Sequence, residues 1–310
     1  MSSQSKTAQQ PVSGKNADKV FKGVAYACGI LILVVLAAVA LFLLFRAWPL
    51  IGGDQQANSD TISNFTGGKA SSFWGYVGPL LFGTVLISAL ALLIAFFVSV
   101  GIALFISHYA PKKLATALSY VVDLLAAIPS VIYGLLGILI LNPLMYKMEL
   151  AVFKGSSTHQ YTGGANLISA VLVLALMILP TVINISESAL RAVPGHLKSA
   201  SLALGATKIQ TIFQVILPAA KSGIITAVVL GTGRAIGEAM AITLVSGSSV
   251  NFPLPFNSVR FLTTAIVAEM GYASGLHREV LFTIGLVLFA FIMIINIGLN
   301  SILKKGEKTK

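Results

Sequence analysis

The chain has 310 residues, 56% hydrophobic and 10% charged, with a mean hydropathy of +0.89. A soluble domain carries about 25% charged residues, so this composition excludes a dissolved monomer and calls for a bilayer. The formal net charge of +11 arises from 21 Lys and Arg against 10 Asp and Glu; these cations lie between apolar runs, where they set orientation in a membrane and do not point to nucleic acid.

Residues 1–22 are read as a disordered cytoplasmic tail, because Met1 to Asn16 is rich in Ser, Gln and Lys and has little to bury. Residues 23–303 form the membrane domain and 304–310 a second cytoplasmic tail. The first apolar run, Val24 to Phe45, is too long for a signal-peptide core and predicts an uncleaved helix ending at Trp48 and Pro49. Its Cys28, the one cysteine, is read as an inert membrane-buried side chain. Five more runs follow: Pro79–Ser107, Leu114–Leu141 with Pro129 inside, Leu167–Ile185 with Pro180 inside, Ile224–Val245 and Val280–Ile302. Each reaches the length of about 20 residues that crosses a bilayer. The prediction is an all-α membrane protein with six transmembrane helices. Mid-helix prolines free backbone carbonyls, which a membrane tolerates only where neighbouring helices or water supply donors. The third and fourth runs are therefore placed inside the bundle.

Six spans put both tails and the loops at 108–113 and 186–222 on one side. Fourteen of the 21 Lys and Arg fall there, six fall on the other side, and Arg234 lies within a helix. The excess of cations makes the first side, with both termini, cytoplasmic.

The segment Arg191 to Ser222 is long for a connection. Leu202, Leu204 and Ala206 flank the tight-turn candidate Gly205; Ile209, Ile212, Phe213 and Ile216 then recur at helical spacing, and Pro218 breaks the segment before the fifth helix. Two readings fit this pattern: a surface docked to a partner, or an amphipathic helix lying on lipid.

In the fifth run, Arg234 and Glu238 are four apart, which places them on one face of a continuous helix. A charge in hydrocarbon is costly, so the pair is directed into the bundle, either as a structural ion pair or on a transport pathway. A guanidinium presents a planar fork of N–H donors suited to oxyanions. Gly233 and Gly237 have the spacing that lets helices approach closely. Asp123 is placed near the cytoplasmic start of the third helix in a structural role. Glu187 and the four histidines are read as solvated, and Asn184 and Asn296 as donors between helices. No P-loop, nucleophile elbow or zinc motif occurs, which predicts no catalytic, metal or nucleotide site in this chain.

Two stretches carry a resemblance. The cytoplasmic segment resembles the E-A-A loop of binding-protein-dependent ABC importer permeases: Ser199-Ala200-Ser201 takes the E-A-A place, Gly205 follows at the family spacing, and Val215-Ile216-Leu217-Pro218 closes the motif. Ser replaces the family's Glu, and Lys198 is the nearest charge. Asp123-Leu-Leu-Ala-Ala-Ile-Pro-Ser-Val-Ile-Tyr-Gly134 and Gly233-Arg-Ala-Ile-Gly-Glu-Ala-Met-Ala-Ile-Thr243 are similar to the phosphate branch of that family. Sulfate and molybdate permeases share an Arg-Ala-x-Gly-Glu segment, so they remain an alternative, as does a self-sufficient anion channel or secondary transporter.

The resemblance implies the type I ABC importer permease fold, in an inner membrane. It implies phosphate as cargo, with Arg234 and Glu238 on the pathway and Ser199, Ala200, Ser201, Leu202, Gly205, Leu217 and Pro218 coupling to the ATPase. Gly233, Gly237 and Pro129 are expected to shape helix packing. The implied partners are a second, homologous permease, a dimer of ATPase subunits that bind ATP and Mg, and an extracytoplasmic phosphate-binding protein. This chain is expected to hold no cofactor and to be no enzyme itself.

Overall fold

The computed structural model describes residues 14–53, 55–156 and 159–308. Helix α1 is Gly14–Gly52, α2 is Gln55–Thr66, and α3 is Phe73–Leu104, continued by a π-helical turn over Phe105–Tyr109. After α4 (Lys112–Ala127), α5 (Ser130–Leu136) runs through a second π turn at Gly137–Leu141 into α6 (Asn142–Val152). Helix α7 is Leu167–Arg191. Helices α8 (Gly195–Ala203) and α9 (Lys208–Thr211), a third π turn (Ile212–Ile216) and α10 (Leu217–Ala219) form the connecting segment. Helices α11 (Lys221–Gly237), α12 (Met240–Val245), α13 (Leu262–Glu269) and α14 (Gly275–Lys308) complete the chain.

Five stretches are long and apolar enough to cross a membrane: Asp18–Leu50, Phe73–Tyr109, Ser130–Val152, Leu167–Arg191 and Gly275–Ser301. The pair Lys208–Ala219 and Lys221–Gly237, bent by 64°, makes a sixth if counted as one span. The architecture is the expected helical membrane bundle, with three differences. Helix α1 starts at Gly14, inside the stretch read as a tail, and an Asp18–Lys22 ion pair at helical spacing lies in its first turns (2.9 Å); residues 1–13 lie outside the described residues. The third run is not one helix, because Pro129 has no N–H and crowds the residue before it, so Ile128 turns extended (φ −67°, ψ 127°) and α4 ends. The fifth run is also interrupted, at Glu238. The fourth keeps its helix through Pro180, and beside it the Ser99 hydroxyl of α3 donates to the Leu179 carbonyl at 3.2 Å.

The centre is α3 against α7, with α11 laid across both. Ala91, Ala95, Ala170 and Ala227 are fully buried there, and such small residues let backbones approach in a medium where apolar burial gives no drive. Gly231 serves the same end: a Cβ on it would lie 3.0 Å from Val182 and 3.2 Å from Ile178. Helix α1 packs along α14, where Phe42 meets Phe282 edge-on and Arg46 pairs with Glu279 at 2.9 Å.

Two buried carboxylates hold the end of the bundle remote from α8–α10. Glu269 sits between Arg260 and His277, and His277 stacks on Phe65. Burial disfavours the Arg260 cation, but Tyr76 and Glu269 beside it more than compensate, so its pKa lies above the ordinary arginine value. Glu149, fully buried, accepts from the Thr162 N–H and hydroxyl and lies 2.8 Å from His159 Nε2, whose ring stacks on Phe153. Thus His159 and His277 are partnered, not solvated as read from sequence. So is Glu187, which is 8% exposed and bound by Arg191 and Ser119. A carboxylate closed off from water needs such donors.

Candidate functional site

The two helix interruptions meet. Helix α5 packs on α12, and Gly134 makes this possible: a Cβ there would lie 2.8 Å from Leu244 Cδ1 and 2.9 Å from the Ala241 Cα. At Gly137 the same addition would strike Val245 and Val173. The packing brings the Pro129 break of α4–α5 beside the Glu238 break of α11–α12. Irregular backbone at membrane depth persists only where it is buried in protein or lines a wet cavity. Here it is stitched from both sides. The Glu238 carboxylate accepts the Ala241 N–H at 2.9 Å, the Thr263 hydroxyl donates to the Glu238 carbonyl at 2.8 Å, and the Tyr133 hydroxyl donates to the Leu125 carbonyl at 2.8 Å.

Arg234 lies one turn before the second break, half-buried. Its Nη1 donates to the Thr181 hydroxyl of α7 at 3.1 Å. Arg234 stands in the last turn of α11, about 20 Å along the helix from Lys221. One N–H of a five-donor fork is engaged by Thr181, and the rest of the fork suits an oxyanion.

The expected Arg234–Glu238 face does not exist. Helix α11 ends at Gly237, and Glu238 leaves it in an extended conformation (φ −71°, ψ 130°). Its carboxylate turns forward to α12, and among the described residues no ion pair joins it to Arg234. Gly233 and Gly237 also differ from expectation. A Cβ on either meets nothing within 4 Å, so within this chain they are open, and Gly223 and Gly231 make the close approach of α11 to α7. Pro129 stands at the N-cap of α5, between α4 and α5.

Below Arg234, α7 carries a polar ladder at helical spacing. Thr181 holds Arg234, Asn184 donates to Asp123 at 2.8 Å, and Glu187 binds Ser119 and Arg191. Asp123 is the twelfth residue of α4, about 16 Å from its Lys112 end. It lies in the second half of α4, and not at the helix start where the sequence reading put it. Asn184 is the interhelical donor it was read to be. Sequence reasoning missed Tyr133, Thr181 and Gly134. The available signal was Pro129, a break that had to be lined by something polar.

The E-A-A-like segment is a helix–turn–helix. Helix α8 holds Ser199, Ala200, Ser201 and Leu202, with no buried residue. It stops in a Schellman turn: the Ala206 N–H reaches the Ser201 carbonyl (3.2 Å) and the Gly205 N–H the Leu202 carbonyl (3.0 Å). The turn needs Gly205 at φ +87°. Thr207 and Gln210 then cap α9 reciprocally, and the Ser201 and Thr211 hydroxyls, 3.0 Å apart, tie the two helices. Leu204 is 90% exposed, and Ile209 and Phe213 are exposed as well. The root is buried instead: Ile212 and Ile216 pack with Ala103, Leu104, Leu190 and Ile224. Leu217 and Pro218 open α10, and the chain bends by 64° into α11. The segment is thus an exposed apolar tip on a buried root.

At the opposite end, a polar recess of about 580 Å³ lies between His159–Thr162 and the 247–258 loop, floored by Ser249, Asn251 and Ser258.

Residues 99–306 match the family model described as "Binding-protein-dependent transport system inner membrane component". The chain is 32% identical to the phosphate transport system permease protein PstC of Haemophilus influenzae, over 94% of this chain and 95% of that protein. It is 33% identical to PstC 2 of Mycobacterium tuberculosis, over 93% and 92% of the two chains. It is 35% identical to the probable ABC transporter permease protein YqgH of Bacillus subtilis, over 87% and 86%. Among solved structures, a bacterial alginate ABC transporter superposes with a TM-score of 0.64 at 16% identity, over 94% of this chain and 96% of its own. The MetNI methionine ABC transporter does so with a TM-score of 0.56 at 18% identity, over 74% and 96%. At these identities the likeness to the two structures is one of fold.

Proposed function

The chain belongs to the binding-protein-dependent transport system inner membrane component family, and we propose that it is one of two pore-forming permeases of an ATP-driven importer of inorganic phosphate. The observation that carries this reading is its end-to-end similarity to permeases named for phosphate. The lone guanidinium at the meeting of two broken helices supports it. The protein crosses an inner membrane several times with both termini in the cytoplasm. Its partners are a second, homologous permease, two ATPase subunits that bind ATP and Mg, and an extracytoplasmic phosphate-binding protein. The chain itself holds no catalytic site.

In this reading phosphate enters from the end that carries the polar recess and travels between the two permeases to Arg234. The fork of N–H donors holds the oxyanion there, weakly enough to let it leave. Thr181 fixes the guanidinium, and Glu238 sets the helix break without neutralising it. On the other side, the exposed tip around Leu204 seats in an ATPase subunit. Closure of the ATPase dimer moves the α8–α10 lever, and the buried Ile212–Ile216 root transmits this to α3, α7 and α11. The coupling works because the tip has different contacts in the two states; equal contacts would shift nothing.

The test is uptake of labelled phosphate into vesicles holding this chain with the sister permease and ATPase, with the binding protein outside and ATP inside. Uptake that needs both ATP and the binding protein is the expected result. A complex that moves only sulfate or molybdate overturns the cargo, and movement by this chain alone overturns the ATP-driven assignment.

A further inference from the structure

Arg46 and Arg278 belong to different helices and meet at one end of the seam between α1 and α14. Arg46 lies near the end of the span Asp18–Leu50, and Arg278 near the start of the span Gly275–Ser301. Their guanidinium carbons stand 5.0 Å and 6.0 Å from the centroid of one ring, Phe282, and Arg46 also faces Phe42 at 5.9 Å. A cation within about 6 Å of an aromatic face is attracted to it. Trp48, exposed on the same stretch of α1, is a residue type favoured at the membrane–water interface. Glu279 engages one of the two cations, accepting from Arg46 Nη1 at 2.9 Å. Arg278 is exposed, and among the described residues no ion pair engages it. The three side chains thus leave net positive charge at the end of the seam.

Deeper along the same two helices lies an apolar groove of about 450 Å³, lined by Leu31, Ile32, Val35, Leu36, Val39 and Phe289. Val35, Val39, Phe42 and Arg46 follow one another at helical spacing, as do Arg278, Phe282 and Phe289, so the groove and the cations share one stripe of each helix. Val39 stands about 10 Å and Leu31 about 22 Å along α1 from Arg46. The hydrocarbon of one leaflet is about 15 Å deep. The groove therefore lies at the depth of acyl chains, below a cation pair at the depth of headgroups.

We propose that this seam binds one anionic phospholipid, with its phosphodiester at Arg278 and Arg46 and an acyl chain in the groove, and that the lipid fastens α1 to α14. A guanidinium fork matches phosphate oxygens. The net positive charge selects a headgroup without a cation of its own, since the ammonium of a zwitterionic lipid meets Arg278 as like charge. Free phosphate satisfies the guanidiniums but leaves the groove unfilled, and a lipid satisfies both. The need for a fastener lies in α1 itself. None of its most apolar stretch is buried, and in a bilayer apolar surface gives helices no drive to associate. The Arg46–Glu279 and Phe42–Phe282 contacts hold only one end of the seam; an acyl chain extends the contact to Leu31. This inference goes beyond the importer reading and does not rest on it.

The experiment is native mass spectrometry of the full chain, and of the assembled complex, titrated with phosphatidylglycerol or phosphatidylcholine, with melting temperatures taken in the same mixed micelles. The wild type is expected to retain one phosphatidylglycerol about fivefold or more in preference to phosphatidylcholine, and to melt higher with it. Arg278→Gln, at an exposed position, should weaken phosphatidylglycerol binding by about fivefold and leave melting in phosphatidylcholine unchanged. Val39→Trp fills the groove and should also lose the retained lipid, although both guanidiniums remain. Equal retention of the two lipids by the wild type overturns the proposal, as ordinary boundary lipid gives that result. Displacement by inorganic phosphate, with Val39→Trp binding like the wild type, overturns it in favour of a site for free phosphate. Loss of the lipid when the chain joins the complex overturns it in favour of a seat for a partner helix. None of these readouts requires transport, so their failure is distinct from a failure of the importer reading.

Discussion

Arg234 donates to the Thr181 hydroxyl across the α11–α7 contact at 3.1 Å. The pairing leaves the guanidinium charged and oriented, where a pairing with a carboxylate would have neutralised it. An anion station needs such an arrangement, and its consequences can be measured.

Arg234→Glu is expected to abolish ATP-driven phosphate uptake while the complex still assembles, because the charge that attracts the cargo becomes one that repels it. Arg234→Lys keeps the charge but loses the fork, and uptake should drop by roughly tenfold. Uptake in vesicles beside co-purification of the subunits checks both. Undiminished uptake in Arg234→Glu places the pathway elsewhere.

Glu238 acts on α12, not on Arg234. Glu238→Ala removes the acceptor of the Ala241 N–H and should cost about 1 kcal/mol, the usual worth of a helix cap. Glu238→Gln retains an oxygen acceptor and should cost much less. The exchange Arg234→Glu with Glu238→Arg should not restore uptake. Thermal melting in detergent measures the first pair and vesicle uptake the exchange; a restored exchange variant would mean that the two groups pair after all.

Gly205→Val forces a branched side chain into the left-handed region at φ +87°, at a cost of roughly 1–2 kcal/mol. The Schellman turn should open and the ATPase subunits should co-purify poorly. Gly195→Ala, where a Cβ meets nothing within 4 Å, should leave them bound. Equal retention of ATPase by both variants counts against the lever.

Gly134→Val drives methyl groups into Ala241 and Leu244 and should destabilise the α5–α12 seam by about 1–3 kcal/mol. Gly233→Ala, in open space, should leave the melting temperature of the isolated chain unchanged. A drop for Gly233→Ala equal to that for Gly134→Val would contradict the packing described.

Glu269→Gln removes the charge between Arg260 and His277 and leaves a buried guanidinium without its counter-charge. The expected loss is about 3 kcal/mol, seen as a fall in melting temperature with the family of helical spans intact by circular dichroism. An unchanged melting temperature would show that the cluster is wet.

The sequence by itself determined the membrane, the number of apolar runs and the helix–turn–helix that joins the fourth run to the fifth. Each of these follows from local chemistry: run length against bilayer thickness, and a glycine at the α8–α9 turn, which needs a left-handed residue. It also singled out Arg234, since a guanidinium in an apolar run has few other uses. Only the tertiary structure decided what Arg234 touches. Periodicity assumes a continuous helix, and on that assumption Glu238 was its partner; the helix ends at Gly237, and the carboxylate serves the next one. Asp123 lies in the second half of α4 and not at a helix start for a related reason, because Pro129 ends α4 where the sequence reading continued the helix. Gly134 was invisible for the same cause. Its lack of a side chain matters only because α12, more than 100 residues further on, lies against it, and no local pattern records which distant backbone will come that close.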